Sequence, residues 1–297
     1  MKVISIIETK KLGKASFASS IVQKLSNFGS VGTIKNRDFC SDSEKTEAWR
    51  NFNLGAEIAI ELTDTGMISF SKEQKLEQAL DYLCNYGLDF AVVEGFKGSK
   101  LPKIIIGGPE GNAEGNAEGN AESNPESNPE VISNVLMRLP ENPELHEALL
   151  ASILDEVLAQ PDRYTLEALI KKIRKNPEIR KAGAIGSFTG IVRELEGSTK
   201  TSRLEFEKYE PEASKVLNKI CEEIKQKEGI FEVLIHHKTG ILEAGEDIVY
   251  IVIASAHRTE LFSALSEAIE RIKAEAAIWK KEFTEKEEFW VHARKHS

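Results

Sequence analysis

Apolar residues in the N-terminal third of the chain come in short runs, separated by longer stretches in which apolar residues recur at helical spacing. The short runs are typical of strands and the longer stretches of amphipathic helices. Because strands that alternate with helices pair in parallel, the pattern predicts an α/β domain with a mostly parallel sheet. The segments that carry this prediction are residues 3–7, 15–28, 32–34, 57–62, 72–83 and 90–93.

A different pattern begins at Ala182, where apolar strands are separated by two long helical stretches. This order predicts an α+β domain with a mixed sheet. One apolar stripe in the second helical stretch would pack that helix against the sheet. The predicted strands are residues 184–192, 204–209, 231–235 and 248–254, and the predicted helices are residues 211–226 and 260–280.

The two patterns are joined by a tandem tetrapeptide, residues 110–130 (EGNAEGNAEGNAESNPESNPE), which has no large apolar side chain. Such a segment cannot bury enough surface to offset the entropy of ordering it. We therefore expect a flexible acidic linker at residues 108–130, between an N-terminal domain at 1–107 and a C-terminal domain at 161–297. Residues 143–158 and 164–174 carry apolar residues at helical spacing, and residues 131–160 are expected to form a helical connector.

Composition excludes several classes of function. The chain has 297 residues, 41% hydrophobic and 29% charged, which fits two globular domains. Its formal net charge of -9 argues against general nucleic-acid binding. Three scattered cysteines and no apolar run of membrane-spanning length indicate a cytoplasmic protein without a disulfide framework. The six histidines show no metal-ligand spacing, so no metal site is expected.

A degenerate phosphate-binding loop follows the first predicted strand. The pattern GxxxxGK[ST] is met at Gly13 and Lys14, but Glu8 replaces the first glycine and Ala15 the hydroxyl residue, while Ser16 comes one position late. A carboxylate at the loop entrance would repel phosphate, and alanine cannot bind Mg²⁺. Two interpretations remain open: weak nucleotide binding, or a glycine and a lysine that only begin a helix.

The N-terminal domain resembles the molybdopterin-guanine dinucleotide biosynthesis adaptor family of P-loop proteins. The resemblance covers roughly residues 1–107 and is carried by Gly13-Lys14, residues 31–35 (VGTIK), Trp49-Arg50 with Gly55-Ala56, and residues 93–97 (VEGFK). It implies that Gly13, Lys14, Ser16 and Glu94 would bind nucleotide, with GTP and Mg²⁺ as the ligands. A role as an adaptor fits either interpretation of the loop.

Four segments of the C-terminal domain resemble the large, catalytic subunit of molybdopterin synthase, from about Tyr164 to the end of the chain. They are residues 183–193 (GAIGSFTGIVR), 206–209 (FEKY), 254–258 (ASAHR) and 272–282 (IKAEAAIWKKE). A further match at residues 236–240 (HHKTG) strengthens the resemblance. Their order and spacing together make the signal specific. The resemblance implies an α/β hammerhead fold of the α+β class.

The residue chemistry separately favours a site for an anion. Arg193 follows one predicted strand, and His257 and Arg258 follow another where a helix should begin, which is where anions bind. Lys273 and Lys280 are seven residues apart and would return to nearly the same face of the predicted helix. We therefore expect these basic groups to converge on one pocket.

The resemblance also implies roles for these residues. Lys273 would be the central catalytic residue, with Lys280 as a second catalytic group. The substrate, cyclic pyranopterin monophosphate, would be bound by Arg193, His257, Arg258, Lys280, Lys281 and Glu282. No cofactor is implied for this reaction. For a lone lysine the ordinary alternative is a solvated side chain, and for His257 and Arg258 it is a helix cap.

Sulfur would come from a ubiquitin-like carrier protein that ends in a thiocarboxylate, as the resemblance implies. The domain's own cysteine, Cys221, lies in a helical pattern where a buried structural thiol is expected. The family forms a homodimer of large subunits, and a heterotetramer with two carriers. An alternative from another class is a non-catalytic protein that holds molybdopterin for the guanine dinucleotide step, and formation of molybdopterin would distinguish the two.

Overall fold

The computed structural model describes residues 1–8, 17–36, 46–72, 75–107, 132–197, 199–285 and 287–291. The chain divides into two compact units, Met1–Arg163 and Tyr164–Ser297, called here the N-terminal and C-terminal units. The predicted linker, residues 108–130, lies outside the described residues. None of the described helices combines the length and hydropathy needed to span a bilayer.

The N-terminal unit is built on a five-stranded parallel sheet with the order β2-β5-β1-β6-β7. This confirms the predicted fold class. Near-continuous apolar runs form the central strands because both faces of a parallel sheet are covered. The strands of the unit are β1 (Lys2–Glu8), β2 (Val31–Lys35), β3 (Ile58–Thr63), β4 (Gly66–Ser71), β5 (Phe90–Glu94), β6 (Lys103–Ile106) and β7 (Val135–Leu139), and its helices are α1 (Phe17–Leu25), α2 (Glu47–Asn53), α3 (Leu76–Tyr86) and α4 (Pro143–Ala159).

Helices cover both faces of this sheet. On one face, Ile21 of α1 and Ile153 of α4 pack with Ile4, Val92 and Ile104 in a single buried cluster. On the other face α3 approaches so closely that a Cβ at Gly32 would lie 3.0 Å from a methyl group of Leu83. Glycine at position 32 therefore lets the helix lie against the sheet.

The predicted strand at residues 57–62 is correct as a strand but does not join the parallel sheet. It forms β3, which pairs antiparallel with β4 in a separate hairpin. One side of the hairpin is covered by α2, where Trp49 and Phe52 contact Phe70 at ring-centroid distances of 5.2 and 6.1 Å. A two-stranded hairpin needs such a cover to be stable.

The helix predicted at residues 143–158 is confirmed as α4, but the helical connector predicted at residues 131–160 was wrong in its first part and in its role as a connector. Residues 135–139 form β7, which pairs in parallel with β6, and α4 packs into the core of the N-terminal unit. Lys103, which is fully buried, links the two strands. Its ammonium donates to the backbone carbonyls of Ser99, of Leu101 at 2.9 Å and of Ser133 at 3.0 Å, and burial lowers its pKa. The segment that was expected to connect therefore belongs to the fold.

The C-terminal unit contains two antiparallel sheets, so the predicted mixed sheet was wrong, although the α+β class is confirmed. One sheet has the order β11-β13-β8 and the other the order β12-β10-β14-β15, with β9 paired to β10. The strands are β8 (Ala184–Ile191), β9 (Leu195–Glu196), β10 (Thr199–Lys208), β11 (Ile230–His237), β12 (Gly240–Glu243), β13 (Asp247–Ser255), β14 (Ile278–Thr284) and β15 (Glu288–Val291), and the helices are α5 (Leu166–Arg174), α6 (Glu212–Lys225) and α7 (Arg258–Glu275).

Helices also enclose the three-stranded sheet of this unit. Ile220 of α6 and Ala268 of α7 pack with Ile253 of β13 on one face. On the other face, Leu169 and Ile173 of α5 pack with neighbouring residues of the same strand. The side chains of β13 alternate between the two faces, which is why this strand is buried almost throughout.

Cutting the chain between β6 and β7 should not release a folded C-terminal half. We expect that a protease site introduced at residue 120 can be cleaved and that the two fragments still elute together in native buffer, because β7 and α4 stay paired and packed with the rest of the N-terminal unit. Size-exclusion chromatography with and without denaturant tests this. Ile153→Ala, which should cost about 2–5 kcal/mol, should weaken the association. Separation of the wild-type fragments in native buffer would contradict the assignment of residues 132–163.

Candidate active site

The junction between α7 and β14 separates the two lysines expected to share one helix face. The helix ends at Glu275, because Ala276 adopts an extended backbone with φ -73° and ψ 130°. The backbone amide of Tyr209 then donates to the carbonyl of Ala277, and residues 278–284 pair with β10. Lys273 therefore lies in the last turn of α7 and Lys280 in a strand. The predicted helix over residues 260–280 was wrong in its final part, as was the shared helix face.

Lys273 has an exposed ammonium that points away from the core. Its side chain is 65% exposed and its Nζ lies 3.3 Å from the carboxylate of Glu270, one turn earlier. An ion pair this exposed contributes little to stability. The lysine is therefore available to another anion at little cost.

Lys280 and Glu282 lie on the inner face of their sheet. Lys280 is directly opposite Phe206 and Glu282 is opposite Leu204, and both of these partners are buried. The Lys280 ammonium is 3.8 Å from the Glu282 carboxylate, which also accepts a hydrogen bond of 2.5 Å from Thr201 Oγ1. Because Glu282 is only 14% exposed and is held by Thr201, it fixes the position of the lysine.

Lys281 faces the opposite way, since successive side chains of a strand alternate between faces. Its ammonium pairs with Glu288 at 2.9 Å and lies 5.0 Å from the centre of the Phe283 ring. The structure therefore does not bring Lys281 together with Lys280, which corrects the expectation of one substrate-binding group.

Arg193 lies just beyond β8, near the strand that carries Lys280. The preceding Val192 is buried in a cluster with Leu204 and Phe206, and Ile278 packs against that cluster. The guanidinium of Arg193 is 69% exposed and pairs with Glu196 at 3.0 Å. Arg193 thus projects to solvent from the same end of the unit.

His257 and Arg258 lie at the far end of α7. His257 is the N-cap residue and Arg258 the first helical residue, and both are exposed. The helix has 18 residues, so Arg258 is about 22 Å along its axis from Lys273. One small substrate cannot touch both ends within a single chain. A single chain does not bring these basic groups together, and their convergence on one pocket stays a prediction.

Lys208 is a cation that the sequence analysis missed. It lies on β10 two residues after Phe206, and so on the same inner face as Phe206 and Lys280. It is half-buried, and burial lowers the pKa of its ammonium although Glu210 opposes the shift. Within the described residues no carboxylate lies within ion-pairing distance of it. The signal in the sequence was a lysine at an inward-facing position of a strand.

Two buried imidazoles adjoin Lys208. His237 Nδ1–H donates a hydrogen bond of 2.7 Å to the Lys238 carbonyl, and its ring contacts the Phe206 ring, while His236 packs on Tyr250. Burial, with a smaller contribution from the Lys208 charge, lowers the pKa of His236 to about 3; burial likewise lowers that of His237 to about 4, although its hydrogen bond opposes the shift. Both are neutral at pH 7. His292 and His296 lie outside the described residues.

In the N-terminal unit, Gly13, Lys14 and Ser16 lie outside the described residues. Glu94 lies at the end of β5, at the carboxyl edge of the parallel sheet where ligands of such folds bind. Its carboxylate forms an ion pair with Lys35 of the neighbouring strand. Within the described ranges, no group of three or more metal-binding side chains is present.

Known proteins match both units. The family model of the MoaE protein matches residues 159–275, and that of molybdopterin guanine dinucleotide synthesis protein B matches residues 3–122. A probable molybdopterin synthase from Haloferax volcanii is 33% identical over 233 residues, covering 78% of this chain and 80% of that one. The chain belongs to the molybdopterin synthase family. As a member of this family it is an enzyme of molybdenum cofactor biosynthesis.

Other relatives match the C-terminal unit of this molybdopterin synthase family member. The molybdopterin synthase catalytic subunit of Bacillus subtilis is 44% identical over 125 residues, which cover 42% of this chain and 77% of that protein. The crystal structure of molybdopterin synthase from Staphylococcus aureus is 41% identical, covers 38% of this chain and 82% of that one, and has a TM-score of 0.36. The Haloferax match is longer than the C-terminal unit, so it extends into the N-terminal unit.

Acid should destabilise the C-terminal unit through its buried imidazoles. Because His236 and His237 have lowered pKa values in the folded chain, the unfolded chain binds more protons below pH 6.5 or so. The free energy of unfolding should therefore fall as pH drops from about 6.5, to about 4 for His237 and to about 3 for His236, by at most about 1.4 kcal/mol per pH unit for each imidazole. These groups should have no effect above that window. Denaturant titrations of wild type and His237→Gln measure the slope. An unchanged slope in the variant would contradict this origin.

Proposed function

We propose that the C-terminal unit is the catalytic subunit of a molybdopterin synthase and acts as a sulfurtransferase. It converts cyclic pyranopterin monophosphate to molybdopterin with sulfur from the thiocarboxylate of a small ubiquitin-like carrier. The observation that carries the proposal is the α7–β14 junction, which places Lys273 at the end of a helix and Lys280 in the following strand. The proposal is supported by the relative from Bacillus subtilis, a molybdopterin synthase catalytic subunit that is 44% identical. Both proposed substrates are anions, which the ammonium groups of Lys273 and Lys280 can bind.

The state of the cysteines supports an external source of sulfur. Burial raises the pKa of the Cys221 thiol to about 11, so this thiol stays protonated at neutral pH. A persulfide-forming enzyme would need a reactive thiolate, which requires a lowered pKa. Cys84 in the N-terminal unit is buried as well. These two described cysteines are therefore poor sulfur donors, which supports a carrier protein as the source of the sulfur.

The roles of the two lysines differ with their surroundings. Lys273 is exposed and weakly paired, so its ammonium can move to a thiocarboxylate and stabilise negative charge as it develops on the substrate. Lys280 is held near Glu282 on the inner face, which suits a fixed contact with the precursor. Arg193 projects from the same end and adds a further contact to the precursor.

The active protein is proposed to be a homodimer through its C-terminal unit, and a heterotetramer with two carriers. The separation of about 22 Å between Arg258 and Lys273 supports this, because both groups can serve one substrate only if they come from two copies. Closed two-fold dimers are the commonest way for two identical chains to meet. His257 and Arg258 of one copy would then complete the site of the other.

The N-terminal unit is proposed to be an adaptor or a weak nucleotide binder. Its parallel sheet and the position of Glu94 at the carboxyl edge support binding of a nucleotide. Pairing with Lys35 partly neutralises this carboxylate, which lowers its value as a Mg²⁺ ligand. With Glu8 and Ala15 in the loop, affinity for GTP with Mg²⁺ should be well below that of an intact loop. The synthase reaction itself needs no cofactor.

Lys273→Ala should lower kcat for molybdopterin formation by about 100-fold or more while the fold is kept, because it removes one charge that acts in the transition state and leaves no cavity. Lys280→Ala should mainly raise KM for the precursor. The assay measures molybdopterin against precursor concentration with saturating thiocarboxylated carrier. Lys215→Ala is the matched control, since Lys215 is 68% exposed and pairs with Glu212 at 3.3 Å much as Lys273 pairs with Glu270.

Normal turnover in Lys273→Ala would overturn the assigned mechanism. Binding of molybdopterin without its formation by the wild-type chain would instead favour the non-catalytic alternative.

Mixing two inactive variants should restore activity if the site is shared between copies. In a mixed dimer of Lys273→Ala and Arg258→Ala chains, one site combines both changes and the other has neither. Equal amounts that exchange freely should recover roughly a quarter of wild-type activity, since half of the dimers are mixed and half of their sites are intact. The measurement is activity before and after mixing, with each variant alone as the control. No recovery, despite mixed dimers seen by mass spectrometry, would contradict the shared site.

A further inference from the structure

The inner face of the β10–β14 pair carries two lysines rather than one. Lys208 is directly opposite Ile278, and Lys280 is directly opposite Phe206, so the lysines are diagonal neighbours on one face. Diagonal neighbours in an antiparallel pair lie about 7–8 Å apart, which long side chains can bridge. Both ammonium groups can therefore reach a single anion.

The surroundings of Lys208 destabilise its charged form. Its half-buried ammonium loses hydration, and no described carboxylate lies close enough to form an ion pair with it. The neighbouring His236 and His237 are neutral and offer no negative charge. By contrast Lys225, also partly buried at 33% exposure, pairs with Glu232 at 3.0 Å. A half-buried cation without an ion pair lowers stability, and such groups persist mainly where function uses them.

We propose that Lys208 is an anion-binding residue of the synthase site, which together with Lys280 holds a carboxylate-type or phosphate group of a bound substrate. The inference rests on the proposed function, because that reaction brings two such anions to this junction: the terminus of the carrier and the phosphate of the precursor. Lys208 lies beside Tyr209, whose amide is bonded to Ala277, so it is next to the turn that connects Lys273 with Lys280. A bound anion would relieve the desolvation of Lys208 and the repulsion between the two lysines.

Lys208→Met tests the proposal, since methionine keeps most of the side-chain volume without the charge. KM for the precursor and Kd for the carrier are measured on the full chain with Lys208→Met, Lys208→Arg and the matched control Lys225→Met. One of the two constants should rise about 10–100-fold in Lys208→Met, as expected for loss of a charged contact. A rise for the precursor assigns the phosphate and a rise for the carrier assigns the carboxylate-type terminus. Lys208→Arg should stay near wild type.

Thermal stability separates this role from a structural one. Lys208→Met should melt at or above the temperature of the wild type, because it removes an unpaired buried charge, whereas Lys225→Met should melt lower because it leaves Glu232 unpaired. Unchanged constants for both substrates, or a melting temperature that falls as far as that of Lys225→Met, would overturn the proposal.

Failure of the proposed function would look different. A wild-type chain that forms no molybdopterin would reject the reaction, and Lys208 would then be judged by calorimetry with inorganic phosphate and with a glycine-terminated peptide carboxylate. Weaker binding of either probe to Lys208→Met than to Lys225→Met supports an anion site, and equal binding overturns it.

Discussion

Backbone pairing between β10 and β14 is the interaction on which the site depends. The pairing starts right after α7 ends, and it holds residues 278–284 in a strand along most of β10. It determines that Lys280 and Glu282 face inward with Phe206, and that Lys281 faces outward. It also brings Lys208 next to the turn that follows Lys273. Without this pairing the lysines would lie along one helix and would not surround a junction.

The three lysines around that junction differ in how far they are solvated and paired. Lys273 is solvated and loosely paired, and Lys280 is held near a carboxylate that Thr201 fixes. Lys208 forms no ion pair with a described carboxylate, and Glu210 only partly offsets the effect of burial on its pKa. In a chain of net charge -9, a cluster of cations is a local feature that the overall composition does not suggest. A local cluster of cations is the kind of site that attracts anionic ligands. In the proposed reaction, a bound anion would complete the electrostatics of this site.

The N-terminal unit depends on a second long-range pairing, that of β7 with β6. Lys103 strengthens it, because one buried ammonium binds carbonyls on both sides of the segment at residues 108–131. The chain therefore returns to complete the first unit before it enters the second at Tyr164. The two family models cover residues 3–122 and 159–275, and the strand and helix in between belong to the first unit by packing.

The sequence by itself determined the fold class of both units and their family. Apolar runs of strand length mark β1, β5, β8, β11 and β13, because a buried strand needs apolar side chains wherever it packs. Lys273, Lys280, Glu282 and Arg193 were found by motif, and the structure places them near one end of the C-terminal unit. Whether they bind substrate remains a prediction.

Only the tertiary structure decided where α7 ends, which way Lys281 faces and that Lys208 is half-buried without an ion pair. The residues of the segment AEAAIWKKE, such as Ala276 and Glu282, favour a helix by local propensity, but hydrogen bonds to a strand some seventy positions earlier in the chain override it. The same holds for β7, whose partner strand is distant in sequence. Pairing between distant segments leaves no periodic signal in either segment alone, so local patterns could not reveal it.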